Sequence, residues 1–269
     1  MENSKLLEII KINPKAIAHI NSPTNEMKLV AVQRNGLALQ YIDSPTREMQ
    51  EAALANNARA IQFIADPTDD MLEKVINDGW INLEYIENPT DELIKLALGQ
   101  AGAAIKYANN PSEELQLLAV RKNYDSIKYI KNPCGRVQEE AVNTSYDALR
   151  YISSPTHKAE LIAIKNNEQA VRLINDLDKN KVLEFLKVNI LAIKYVVKEI
   201  EITKDELEQV LKEVLAREDV EEKYVRDYLN FSTIDKNGEI MPRDKIMFIY
   251  QYGSKKAKKI AVDEKLKMK

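Results

Sequence analysis

Prolines recur at Pro23, Pro45, Pro67, Pro89, Pro111, Pro133 and Pro155, each 22 residues after the last. No local chain chemistry produces so long and constant an interval. It marks a tandem repeat, whose units fold alike and bury their apolar sides against one another. With each proline as position 1, position 22 reads Ser22, Ser44, Asp66, Asn88, Asn110, Asn132 and Ser154, all residue types that cap helix N-termini. Position 2 reads Thr24, Thr46, Thr68, Thr90, Ser112, Cys134 and Thr156, so either column is a candidate cap. Proline suits the first helical turn, where its missing N–H has no intrahelical partner. Acids at position 4, among them Glu26, Asp70 and Glu114, complement the positive end of the helix dipole. A helix is expected to start at every proline.

Positions 5, 8 and 9 of this helix, such as Leu115, Leu118 and Ala119, have the spacing of one helical face. Position 9 is alanine in every unit except that of Val75, which lets neighbouring helices approach closely. The helix should stop near position 13, where Asn35, Asn57, Gly79, Asn123 and Asn167 are types that tolerate a left-handed C-cap. A shorter second helix follows, with a small residue near position 16, an aliphatic at 17, an aromatic at 19 and usually isoleucine at 20. Asn13 to Ile20 and Asn189 to Val196 extend the pattern past the prolines at both ends, with Leu177 in a proline's place. The expected fold is all-α: a right-handed α-solenoid of two-helix repeats over residues 1–198, then a helical C-terminal cap or small domain over 199–269 with a lysine-rich tail.

The run Asn110-Pro111-Ser112-Glu113-Glu114-Leu115, followed by Ala119-Val120, Asn123, Ile127 and Tyr129-Ile130, resembles the short-helix solenoids. These are the leucine-rich repeat variant family, HEAT-like arrays and a repeat of this length in proteins of bacteria and their phages. The resemblance implies a binding scaffold, an adaptor or inhibitor of another protein, of bacterial or phage origin. It is specific for fold and silent on the partner.

The remaining composition narrows the chemistry. One cysteine, Cys134, excludes an intramolecular disulfide and a thiolate cluster, and two histidines leave little for zinc or imidazole catalysis. Neither a glycine-rich phosphate loop nor a nucleophile motif is present, so no enzyme, metal or cofactor is expected. No basic leader or long apolar run occurs, which points to a cytoplasmic protein without a membrane partner. The net charge of −3 hides an imbalance: residues 199–230 carry 11 acids against 5 bases, and residues 243–269 carry 9 bases against 3 acids. These segments either lie against each other or leave the basic one for an acidic partner.

Equivalent positions of a solenoid form rows, and three rows bear on function. Position 19, mostly tyrosine, is either a stacking platform or a packed seam with its hydroxyls at a polar edge, and the adjoining isoleucines favour the seam. Position 18 turns basic at Lys106, Lys128, Arg150, Arg172 and Lys194. These cations either track an anionic partner or pair with Asp125, Asp147 and Glu168 at helical spacing. Position 14 holds Trp80, Tyr124 and Tyr146 where other repeats have glycine or alanine, so these are candidate interface anchors, or covers for their own turns. A protein partner is expected first, with nucleic acid the alternative.

Beyond residue 200, Leu207, Val210, Leu211, Val214 and Leu215 mark one amphipathic helix starting near Thr203, and Val220, Tyr224, Val225 and Tyr228 mark another. The stretch Thr233–Ile240 with Asp244 faintly resembles a calcium loop but lacks its first acid and its glutamate, so a plain Asn237-Gly238 turn is preferred.

Overall fold

The computed structural model describes residues 2–196, 200–232 and 244–267, and all regular secondary structure among them is helical. The calcium-loop-like stretch, Asp244 apart, lies outside the described residues. The chain is an all-α solenoid that divides into two compact units, Met1–Asn132 and Pro133–Lys269. No described helix is long and apolar enough to cross a membrane.

The first unit alternates α-helices with 3₁₀-helices: α1 (Glu2–Ile12), η1 (Pro14–His19), α2 (Asn25–Arg34), η2 (Gly36–Tyr41), α3 (Arg47–Asn56), η3 (Ala58–Phe63), α4 (Asp69–Asp78), η4 (Trp80–Tyr85), α5 (Asp91–Gln100), η5 (Gly102–Tyr107), α6 (Glu113–Lys122) and η6 (Tyr124–Tyr129). The second continues with α7 (Gly135–Thr144), η7 (Tyr146–Tyr151), α8 (His157–Asn166), η8 (Glu168–Leu173), α9 (Lys179–Val188) and η9 (Ile190–Tyr195). Within each unit α-helices pack on α-helices and 3₁₀-helices on 3₁₀-helices. The core between the layers is formed by positions 5, 9, 10, 16 and 17, as in Leu115, Ala119, Val120, Ser126 and Ile127, all buried.

The helix boundaries correct two expectations. Position 2, not position 22, is the N-cap: the hydroxyls of Thr24, Thr46, Thr90, Ser112 and Thr156 accept from the N–H three residues on. Proline therefore stands outside the helix. Ser22, Ser44, Asn88, Asn110 and Asn132 instead take φ of 50 to 56°, the left-handed turn that feeds each proline. Position 13 is not left-handed. Asn35, Asn57, Asn123 and Asn167 are extended, with φ near −150°, and each side chain accepts the N–H two residues on, capping the following 3₁₀-helix. One asparagine thus ends one helix and starts the next, which needs no linker.

Position 12 carries a clip that the apolar pattern does not reveal. Asn56 accepts the Gly36 N–H at 2.7 Å and donates to the Gln33 carbonyl at 3.1 Å. Gln100 likewise accepts from Trp80 at 2.8 Å and donates to Ile76 at 2.7 Å. Lys122 and Asn166 donate to Gly99 and Asn143. Each such side chain donates to a carbonyl in the last turn of the preceding repeat's α-helix, where helix termini leave polar groups with spare bonding capacity.

In the second unit the two amphipathic segments form α10 (Lys204–Leu215) and α11 (Glu222–Asn230), and all nine residues marked in the sequence are buried. α10 packs on α9 and α11 on η9, covering the last repeat. α12 (Lys245–Tyr252) buries Phe248 and Ile249, and the stretch from Lys255 expected as a lysine-rich tail instead forms α13 (Lys255–Lys267), which buries Ala257, Ile260 and Ala261. Lys245, buried, donates to the Leu229 and Phe231 carbonyls at 2.8 Å and so closes the end of α11.

Candidate partner-binding surface

A 3₁₀-helix has about three residues per turn, so positions 17 and 20 share one side and positions 18 and 19 fall towards solvent. Within the first unit Tyr41 and Tyr129 are 40% and 41% exposed, and in the second Tyr151 is 42% exposed. The aromatic row is thus a half-exposed shelf beside the core rather than part of it. The buried seam is made by the small residues at 16 and the aliphatics at 17, with Ile42, Ile64, Ile130, Ile152 and Ile174 behind them.

All five cations of position 18 are exposed, in two kinds of environment. Lys128 pairs with Asp125 at 3.0 Å and Arg150 with Asp147 at 2.8 Å, the helical pairing anticipated for them. Each carboxylate, through its hydrogen bond first, holds its cation's pKa above the usual value. Lys106, Arg172 and Lys194 have no carboxylate partner among the described residues; Glu168 does not reach Arg172. They lie on rings instead: Lys106 Nζ is 4.6 Å from the Tyr107 centroid, Arg172 is 4.5 Å from that of Tyr195, and Lys194 is 5.3 Å from that of Phe231. Contacts of this kind at exposed sites contribute roughly 0.5–1 kcal/mol.

The position 14 aromatics are half-buried, and Trp80 and Tyr146 each contact the next repeat. Trp80 reaches the next repeat, its ring 6.4 Å from Tyr107, and Lys106 Nζ lies 5.5 Å from the Trp80 centroid. Trp80, Lys106 and Tyr107 therefore form one cluster, an ammonium shared between two rings. Nothing in the sequence spacing joins positions 14, 18 and 19 of adjacent repeats; the stacking does. Tyr124 lies in the first unit without a described ring partner, and in the second Tyr146 donates to Gln169 Oε1 of the next repeat at 3.4 Å.

A groove of about 810 Å³ opens between two repeats of the first unit, lined by Ile61, Ile64, Pro67, Leu72, Tyr85 and Pro89 among others. Arg59 lies 5.2 Å above the Tyr85 ring at this groove. Its signal in the sequence was the coincidence of the proline and tyrosine columns, which only stacking converts into a concave wall. No protein-family model, curated protein or solved structure matches the chain.

Proposed function

We propose that this chain is a non-catalytic, cytoplasmic protein-binding scaffold, an adaptor or inhibitor of bacterial or phage origin. The observation that carries the reading is the cluster of Trp80, Lys106 and Tyr107: a half-buried tryptophan, the residue type that most often dominates interfaces, beside an exposed cation without a carboxylate partner among the described residues. Such a pair suits an acidic or carbonyl-rich protein surface, since the rings supply desolvated area and the ammonium supplies orientation. Tyr124 and Lys128 are further candidate contacts within the first unit, and the second unit carries its own candidates in Tyr146, Arg150, Arg172 and Lys194. The test is affinity capture with wild type and with Trp80→Ala, Lys106→Ala, Tyr124→Ala and Tyr146→Ala variants. A partner lost with Trp80 and Lys106 supports the reading; one retained equally by all variants removes it.

A nucleic-acid reading draws on Lys106, Arg172 and Lys194, which no described carboxylate neutralises. If it holds, binding of a labelled single strand weakens steeply with salt, and each lysine that contacts phosphate lowers the slope by about 0.7 when replaced. Salt-insensitive or absent association refutes it.

A further inference from the structure

Three acids of residues 199–230 are taken up by the repeat helices, while Glu222 is held below its usual pKa by the hydrogen bond and charge of Arg226 first and then in part by the charges of Lys267 and Lys256. Glu221 pairs with Lys165, Glu206 with Lys179 at 3.0 Å, and Glu213 with Lys187 at 3.0 Å, all lysines of the repeat helices. α13 has six lysines against two acids, and one of those acids, Glu264, is largely buried and pairs with Arg226 and with Lys267. Asp263 is the other.

The outer face of α12 and α13 is also apolar. Met247, Tyr250, Val262 and Leu266 are 59%, 71%, 58% and 63% exposed. Tyr250 and Val262 line a groove of about 180 Å³ together with the buried Ile249 and Ala261, Ile246, and the two lysines Lys258 and Lys265. A cavity of about 150 Å³ admits a benzene ring, so this groove takes one large side chain. Lys258 and Lys265 have no carboxylate partner among the described residues; Lys258 Nζ rests 5.7 Å from the Tyr250 ring.

We propose that this face binds an acidic amphipathic helix of another protein, through one apolar anchor between Tyr250 and Val262 and two carboxylates on Lys258 and Lys265. The register follows from α13. The lysines are seven residues apart, about 10 Å along the axis, and Val262 lies four residues after one and three before the other. A partner helix alongside α13 matches them with a large apolar residue at i+3 or i+4 between acids at i and i+7. Charge complementarity selects an acidic partner. The groove selects a helix with a protruding anchor over a lipid surface, which has no use for a one-side-chain pocket. The surface uses none of the residues around Trp80, so this inference and the proposed function fail separately.

The test is fluorescence anisotropy of the full chain with labelled, alanine-based peptides of about sixteen residues, long enough to be partly helical. The Glu-x-x-Leu-x-x-x-Glu peptide is expected to bind saturably. Leucine-to-alanine replacement in the peptide should weaken binding about tenfold, and its Glu-to-Lys counterpart should not bind. The Lys258→Glu, Lys265→Glu double variant, changed only at helix-surface positions, should exchange these preferences. The proposal is overturned if the acidic peptide fails to bind, if the alanine peptide binds equally, or if the double variant keeps the wild-type preference. Capture by vesicles of phosphatidylcholine with phosphatidylglycerol, without peptide binding, likewise overturns it in favour of a membrane surface.

Discussion

Gly102 and Gly99 are three residues apart, yet adding a methyl group to each should move stability in opposite directions. Neither glycine has a positive φ, so conformational freedom does not explain them; space does. A Cβ on Gly102 would sit 2.5 Å from the Ala119 carbonyl oxygen and 2.4 Å from Ser126 Oγ, both in the next repeat. The carbonyl belongs to α6 and cannot retreat without displacing that helix from α5. Overpacking of this kind costs roughly 1–3 kcal/mol, offset by roughly 0.4–1 kcal/mol from a less flexible unfolded chain. The net expectation is a loss of about 1–2 kcal/mol, or roughly 2–8 °C in Tm. A Cβ on Gly99 meets nothing within 4 Å, and in a helix alanine is favoured by about 0.5–1 kcal/mol. Urea titrations followed by circular dichroism compare the two directly. If Gly102→Ala matches or exceeds wild type, or if both variants shift alike, the close contact between repeats is not what requires glycine.

Ser126 stands where most repeats have alanine, and its Oγ is buried without a hydrogen-bond partner, so Ser126→Ala should stabilise by about 1 kcal/mol in the same titration. Asn56→Ala and Gln100→Ala each delete two hydrogen bonds to the preceding repeat and should cost about 1–2 kcal/mol, with faster amide exchange at Gly36 and Trp80 respectively. Glu206 accepts from the Thr203 backbone N–H, then from Lys179 and the Thr203 hydroxyl, and its pKa is lowered from 4.5 to about 2. A depressed carboxylate stabilises the fold above its unfolded pKa and loses that contribution as pH falls through the folded one. The stability gap between wild type and Glu206→Gln should therefore be constant above pH 4.5 and close towards pH 2, as read by denaturation at each pH; a gap unchanged at pH 2 refutes the assignment.

Much of this molecule is written in one dimension. The proline interval, the alanine at position 9 and the aliphatics at 10 and 17 are recurring local signals, so the number of repeats, their helical content and most of the core follow from the sequence. Amphipathic spacing likewise marks α10 and α11, because a single helix face records its own burial. The helix ends were harder. Threonine and asparagine are competent in several capping roles, and which hydroxyl or amide reaches which N–H depends on backbone angles that composition does not set.

What only the tertiary structure decided lies between repeats. Lys106 reads as one more cation in a row until stacking brings Trp80 of the preceding repeat over it. Asn56 and Gln100 read as solvated polar residues until a neighbour's helix end arrives within 2.8 Å. The lysines of residues 255–267 read as a tail until Ala257, Ile260 and Ala261 find a surface to cover, leaving Tyr250 and Val262 facing outward. The physical reason is the same in each case. Periodicity reports the environment of a residue within its own helix, whereas a clip, a ring–cation cluster or an exposed groove depends on the distance between elements, which packing alone fixes.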